Sequence, residues 1–249
     1  MYFYHLSDLH IKGKGSTNNR LTAKAVERLL EIVSEDDIVI ISGDVIEGEP
    51  LSFQKELELA YLILSPLLDV CTVMIVPGNH DVAIKGILHH RKIREAFGKF
   101  MIKMMPWLAF DFNDYMDGVL KPYLCKDVVM GIDTTGRCVY EEGILDLARG
   151  GAGHEPLRYL SSCGMGGLIV VGHHGNRGEK NTNMLVDGDE LVTSLKSCGA
   201  KMYLCGHKHV AGEWYEGDVR FIRSHKTTTK DAPMFGRVDV FGNYEFIGY

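Results

Sequence analysis

The chain has 249 residues, 45% of them hydrophobic and 24% charged, and a formal net charge of -6. These values suit a globular chain with a sizeable core. They argue against a disordered or fibrous protein, and against a general nucleic-acid binder, whose phosphate contacts call for a basic face.

No low-complexity tract or Pro/Ser-rich linker divides the chain, so residues 1–249 read as one domain. Six cysteines, at 71, 125, 138, 163, 198 and 205, form no C-x-x-C pair and several sit in apolar runs. They read as small buried hydrophobes of a reducing compartment. The opening "MYFYHLSDLH" lacks the basic and apolar segments of a signal peptide, and no run reaches membrane-spanning length. The expectation is a cytoplasmic protein without a membrane partner, and nothing in the pattern specifies an oligomer.

In chain order, Tyr2 to Leu6 reads as a strand, "KGKGSTNN" (12–19) as a loop, and Thr22 to Ser34 as an amphipathic helix. Ile38 to Ile41 is a buried strand, 51–69 a helix, and Cys71 to Val76 a third strand. Residues 84–110 carry a helical pattern broken at Pro106. Val128 to Ile132 is a strand, and Pro156 suits the start of a helix to about Cys163. Leu168 to Val171 is a strand, 188–198 a helix and Met202 to Leu204 a strand. Extended segments follow at 213–215, 219–223, 235–241 and 244–248, the last two joined by a Gly-Asn turn. Alternating strands and helices predict an α/β fold with a largely parallel sheet, and the strand-only tail adds antiparallel strands.

Five of the strands run straight into polar side chains. "HLSDLH" supplies Asp8 and His10, "IVIISGD" supplies Asp44, and "IVPGNHD" supplies Asn79, His80 and Asp81. "LIVVGHHG" supplies His173 and His174, and "MYLCGHKH" supplies His207 and His209. In open α/β sheets, ligands gather beyond the carboxyl ends of the strands, so one sheet edge would collect all of these groups. Taken singly, each cluster has an ordinary explanation as a turn or a helix cap. Their joint occurrence, each after a strand, is what points to a site.

The set mixes imidazole with carboxylate and contains no cysteine, which disfavours a structural zinc cluster and suits Mn, Fe, Zn or Co. Seven donors are too many for one ion but fit two ions sharing a carboxylate, a clamp for displacement at phosphorus. His5, His89, His90, His154 and His225 lack this context and read as surface or packing residues. The basic residues Lys12, Lys14 and Arg20, and those of "HHRKIR" (89–94), read as a solvated loop and helix face.

Together these motifs resemble the calcineurin-like metallophosphoesterases, whose pattern is D-x-H, G-D, G-N-H-[DE], a single His, then G-H-x-H. Here it stands as Asp8-Leu9-His10, Gly43-Asp44, Gly78-Asn79-His80-Asp81, His173 and Gly206-His207-Lys208-His209. The resemblance implies a four-layer fold, two mixed β-sheets flanked by helices. It places a first metal on Asp8, His10 and His209, a second on Asn79, His173 and His207, and Asp44 between them. Two divalent ions are implied, Mn foremost, with Fe, Zn or Co as alternatives. His80 would be the general acid rather than a ligand, oriented by Asp81.

The fourth motif departs from the H-x-P form of many family phosphodiesterases, reading His173-His174-Gly175. It leaves His173 or His174 as the ligand, with His173 nearer the strand end. Its H-x-G form looks more like the DNA-repair nuclease branch. Asn176 and Arg177 are candidate substrate contacts, and "HKTTTK" (225–230) is a candidate border of the cleft.

The expected function is hydrolysis of phosphate esters, foremost a phosphodiesterase on a small or nucleotide-like substrate. The compact length and net acidity place that ahead of a nuclease, a monoesterase or a non-catalytic scaffold. A scaffold would show eroded motifs, and every ligand position here is intact.

Overall fold

Unbroken apolar runs bounded by glycine and polar residues become short strands buried on both faces. A computed structural model describes residues 1–82, 90–118, 120–135, 140–141, 144–145, 152, 154–163, 169–176, 185 and 187–249. In chain order the elements are β1 (Tyr2–Leu6), α1 (Thr17–Leu30), β2 (Ile38–Ser42), α2 (Phe53–Leu64) and β3 (Thr72–Val76). Next come α3 (Asn79–Val82), α4 (His90–Met104), α5 (Phe112–Met116), β4 (Tyr123–Cys125) and β5 (Val129–Gly131). A small hairpin, β6 (Tyr140–Glu141) and β7 (Ile144–Leu145), precedes α6 (His154–Ser162), β8 (Ile169–Val171), α7 (Gly188–Cys198) and β9 (Met202–Cys205). The chain closes with β10 (Gly212–Glu216), β11 (Val219–Arg223), β12 (Met234–Asp239) and β13 (Tyr244–Gly248).

Two mixed sheets result, in the orders β13-β12-β1-β2-β3 and β10-β11-β9-β8-β5-β4. In the first, β1, β2 and β3 are parallel, with Phe3 opposite Ile38 and Ile38 opposite Thr72. In the second, β5, β8, β9 and β11 are parallel, with Val129 opposite Ile169 and Ile169 opposite Met202. The remaining pairs are antiparallel.

Period-two alternation assigns each second-sheet side chain to one of two cores. Met202, Leu204, Ile169, Val171 and Val129 pack inward with first-sheet residues such as Phe3, Leu6 and Ile40. Tyr203, Cys205, Val170 and Met130 face out, onto Leu157 and Leu160 of α6 and Leu191 and Leu195 of α7. On the other flank, Ala25, Val26 and Leu29 of α1, with Leu57, Ala60 and Leu64 of α2, join the first core. The architecture is the expected layering of helices, sheet, sheet and helices. Tyr123 ties the sheets directly, its hydroxyl donating to the Ile75 carbonyl.

Three local expectations change. Helix α1 begins at Thr17, inside the segment expected as loop, because the Ser16 side chain accepts from Asn19 N and caps it. The helix expected over 51–69 stops at Leu64 and tightens into a 3-10 turn over Ser65–Asp69, since Pro66 has no N–H to offer. Helix α5 and strand β4 were not expected. The helix over 188–198 forms as read, closed by Gly199 at φ 78°.

Candidate metal centre

The carboxyl ends of β1, β2 and β3 meet those of β8 and β9, bringing the five polar clusters together. Two glycines permit the approach. A Cβ on Gly206 would stand 1.7 Å from Ser7 Oγ, and one on Gly78 would stand 2.2 Å from Asp44 N. Any larger residue would push the loop after β9 off the loop after β1, or the loop after β3 off that after β2.

The backbone leaves each strand by an abrupt turn. Seven described non-glycine residues have positive φ, and five of them are Asp8, His10, Asp44, His207 and His209. Left-handed backbone is strained for such residues and persists where surrounding contacts enforce it. Here it turns successive side chains of D-x-H and H-x-H inward.

The donors form two groups on either side of Asp44, and His10, Glu47 and His80 make a third cluster beside the first. Asp8, His10, Asp44 and His209 offer ligand atoms within 4.8 Å of one another. Within that group His10 Nε2 is 3.0 Å from His209 Nε2, and His209 Nε2 is 3.3 Å from Asp8 Oδ1. In the second, Asn79 Oδ1 lies 3.0 Å from both His173 Nε2 and His207 Nδ1. Asp44 Oδ2 lies between, 3.7 Å from His10 Nε2 and 3.3 Å from His173 Nε2.

These separations fit ions. Two ligands about 2.1 Å from one ion and at right angles stand about 3 Å apart. The hydrogen bonds fit as well. His173 Nδ1 lies 2.7 Å from the Ser42 carbonyl, which can only accept, so Nδ1 carries a proton. The neutral ring then aims the bare Nε2 at the oxygens of Asp44 and Asn79, an arrangement of facing lone pairs that calls for a cation.

Electrostatics say the same. Burial opposes charge on His173, but Asp44 outweighs it and raises the imidazole to about 9, so a proton substitutes for a metal. Burial lowers His10 to about 3 and His207 to about 4, leaving both neutral and ready to ligate. Burial disfavours the Asp8 carboxylate, yet the His209 contact and His173 bring it down to about 2. Asp44 is likewise held ionised against burial, chiefly by His173.

His80 sits beside the first group, its ring edge-on to His10 with centroids 4.7 Å apart. Its Nδ1 lies 2.7 Å from the Glu47 carbonyl, while its backbone N–H donates to Asp44 Oδ1 at 2.9 Å. Asp81 does not orient it, contrary to the expectation. The Asp81 carboxylate accepts from Gly78 N at 2.8 Å and Ile46 N at 3.1 Å, pinning the loop after β3 to the loop after β2. Successive residues of α3 point to different sides, so Asp81 cannot share the direction of His80.

Of the two fourth-motif histidines, His173 meets Asp44 and Asn79. His174 lies behind it, with Nδ1 2.9 Å from Thr134 Oγ1 and a buried Nε2 that has no hydrogen-bond partner. Thr134 Oγ1 also accepts from the backbone N of His173 and of His174, each at 3.2 Å. With both lone pairs so used, its hydroxyl proton goes to His174 Nδ1, which places the other ring proton on Nε2. His174 nevertheless offers a ligand atom within 4.8 Å of those of His173 and His207, so both fourth-motif histidines border the second group.

Asn176 is held by two side-chain partners. Its amide accepts from Trp214 Nε1 at 3.0 Å and donates to Glu216 Oε1 at 3.1 Å, tying the loop after β8 to β10. Arg177 and His89 lie outside the described residues. His5 is a packing residue, fully buried with Nε2 2.8 Å from Ser42 Oγ. His225 bonds within its own loop, to Thr229 Oγ1 and the Lys226 carbonyl. Sequence reasoning missed Glu47, Ser42 and Thr134, which act through carbonyl or hydroxyl oxygens. Its only cue to any of them was that each lies at or within a few residues of the end of a strand.

The comparisons with known proteins agree with this geometry. Residues 1–211 match the family model described as calcineurin-like phosphoesterase. No curated protein matches the sequence. Among solved structures, TT1561 of Thermus thermophilus is similar at 10% identity, covering 99% of this chain and 98% of that one, with a TM-score of 0.56. The phosphopantetheinyl hydrolase PptH of Mycobacterium tuberculosis is 15% identical over 91% of this chain and 90% of that one, TM-score 0.51. GAP50, the anchor in the inner membrane complex of Plasmodium, is 12% identical over 100% and 84%, TM-score 0.58. At these identities the likeness is one of fold. No helix among the described residues is long and apolar enough to cross a membrane. With a family match over most of its length and strand ends that bring a mixed His/Asp/Asn donor set together, the chain belongs to the calcineurin-like phosphoesterases, a family of metal-dependent phosphoester hydrolases.

Proposed function

We propose that the protein is a phosphodiesterase acting on a small or nucleotide-like substrate with two divalent ions, Mn foremost. One observation supports this reading: Asp44 Oδ2 lies between the histidines of two donor groups, 3.7 Å from His10 Nε2 and 3.3 Å from His173 Nε2, while His80 Nδ1 is taken up by the Glu47 carbonyl. Asp8, His10 and His209 would hold one ion, Asn79, His173 and His207 the other, and Asp44 both. When bound, such ions polarise phosphoryl oxygens and make water a nucleophile near neutral pH.

The chain's own residues supply the rest. Ser42 fixes the His173 tautomer, and the Glu47 carbonyl fixes that of His80, leaving His80 Nε2 toward the cleft. Burial works against a charge on His80, but Asp44 and the Glu47 carbonyl outweigh it and raise its pKa. A protonated His80 then donates from Nε2 to the departing ester oxygen, the general-acid role.

The test is turnover of bis-p-nitrophenyl phosphate against p-nitrophenyl phosphate, in Mn²⁺ and after chelation. Chelator-sensitive turnover favouring the diester is expected. Monoester preference would make the protein a phosphatase. Turnover that survives removal of the metals would refute the assignment of the centre.

A further inference from the structure

The open side of the metal centre carries a lysine that the chemistry above does not use. Residues 225–229 form a strap laid across the loop after β1. Ser7 N donates to Thr227 Oγ1 at 2.9 Å, Thr227 N donates to the Ser7 carbonyl at 3.0 Å, and Thr228 Oγ1 donates to the Leu9 carbonyl at 3.4 Å. Lys226 N donates to the His209 carbonyl at 3.4 Å, so the strap sets Lys226 against a ligand of the first metal position. The lysine is partly buried, and its ammonium feels Asp8, Glu47 and Asp44, with Lys12 nearby. Among the described residues that ammonium makes no hydrogen bond or ion pair. Lys12 Nζ stands 3.8 Å from Glu47 Oε2 on the same side.

The local charge sharpens the point. Asp8, Asp44 and Glu47 set three negative charges against the two of Lys12 and Lys226. Two divalent ions bring four positive charges and turn one net negative into three net positive. A simple phosphodiester brings a single negative charge. It leaves Lys226 partly desolvated and unpaired, which is unfavourable. A neighbouring second phosphoryl group would supply the missing partner through a charge-assisted hydrogen bond.

We propose that Lys226, with Lys12 beside it, forms an anion subsite on the Asp8-His10-His209 side. Its substrates would be phosphate esters with a second phosphoryl group next to the scissile one, as in pyrophosphate-linked nucleotides. The inference rests on the phosphoesterase reading and narrows its substrate class. In such a hydrolysis, water oxygen bonds to one phosphorus, and the bond from that phosphorus to the bridging oxygen breaks. The bridging oxygen leaves with the electron pair and takes a proton, giving two monophosphates.

The test compares the full-length Mn²⁺-loaded protein with Lys226→Ala and Lys226→Arg, after confirming that all three hold the same metal content. Calorimetric titration with α,β-methylene-ADP, whose two phosphoryl groups resist separation, is set against AMP. The wild type is expected to bind the first about tenfold more tightly, Lys226→Ala to lose that margin, and Lys226→Arg to keep most of it. In parallel, the ratio of kcat/KM for ADP-ribose to that for bis-p-nitrophenyl phosphate should fall about tenfold in Lys226→Ala. Equal binding of the two nucleotides by wild type, or an equal loss on both substrates in Lys226→Ala, would overturn the subsite. If the wild type hydrolyses neither substrate while the binding margin persists, the subsite stands and the hydrolase reading falls.

Discussion

The two halves of the metal centre are built differently. The first, around Asp8, His10 and His209, opens to solvent through one ligand: the His209 side chain is 43% exposed above a buried Asp8 and His10, and Lys12, Glu47, His80 and Lys226 gather at its rim. The second, around Asn79, His173 and His207, is more closed, with Asn79 and His173 buried, His207 partly buried and His174 packed behind them. Backbone strain is concentrated in the first half, at Asp8, His10 and His209, while in the second only His207 has positive φ. The exposed His209 offers access for substrate on the first side, and the buried His173 offers a fixed electrostatic field on the second.

Breaking both halves at once should have the largest effect. Asp44→Asn removes the shared charge, so activity should fall to background and metal content should drop from two ions. Full activity with two ions bound would remove Asp44 from the shared position. His80→Ala leaves every donor in place and should retain both metals while losing roughly 10²–10⁴-fold in rate. An unchanged rate on a diester with a poor leaving group would refute its role as acid.

Thr134→Val attacks the second half alone. It deletes the oxygen holding the backbone of His173 and His174 and should weaken the second metal by roughly 10- to 100-fold, the range for outer partners of ligands. Metal titration that shows equal weakening of both ions, or none, would sink the idea that the halves are separately supported.

A smaller effect separates the halves by pH. In the metal-free protein His173 stays protonated up to about 9, whereas burial holds His10 neutral above about 3. Filling the second position below pH 9 must expel the His173 proton, and its affinity should rise with pH until about 9. The first position gains nothing from His10 over that range. Calorimetry in buffers of different ionisation enthalpy should detect the released proton. Its absence at about pH 7 would show that His173 is neutral before metal arrives.

Much of this was legible in the sequence because the strands are local runs of apolar residues and each ligand follows one directly. Ile38–Ser42 and Gly188–Cys198 needed only periodicity and their glycine punctuation. What escaped was non-local or too short to show a period. Strand β4 has three residues and exists because Tyr123, Leu124 and Cys125 find Gly131, Met130 and Val129 as partners. Glu47 reaches His80 with a carbonyl, a group that every residue has. The Asp81 role came with the family resemblance and not from a pattern in the residues, and the helical turn at Asn79–Val82 separates its direction from that of His80. Asn176 looked like a free polar residue until Trp214 and Glu216, 38 and 40 positions on, arrived across the sheet.

The left-handed backbone at Asp8, His10, Asp44, His207 and His209 has one more consequence. Glycine would be at ease at each of those positions, so replacing a ligand with glycine removes a donor and relieves a local strain of roughly 1 kcal/mol in one step. In the metal-free protein that relief counts most at the exposed His209, because at Asp8 and Asp44 it is offset by buried N–H groups and a charged His173 left without their carboxylates. Without the ions, the five left-handed positions would therefore differ in what glycine does to them: His209→Gly is expected to cost the fold least, and Asp44→Gly most.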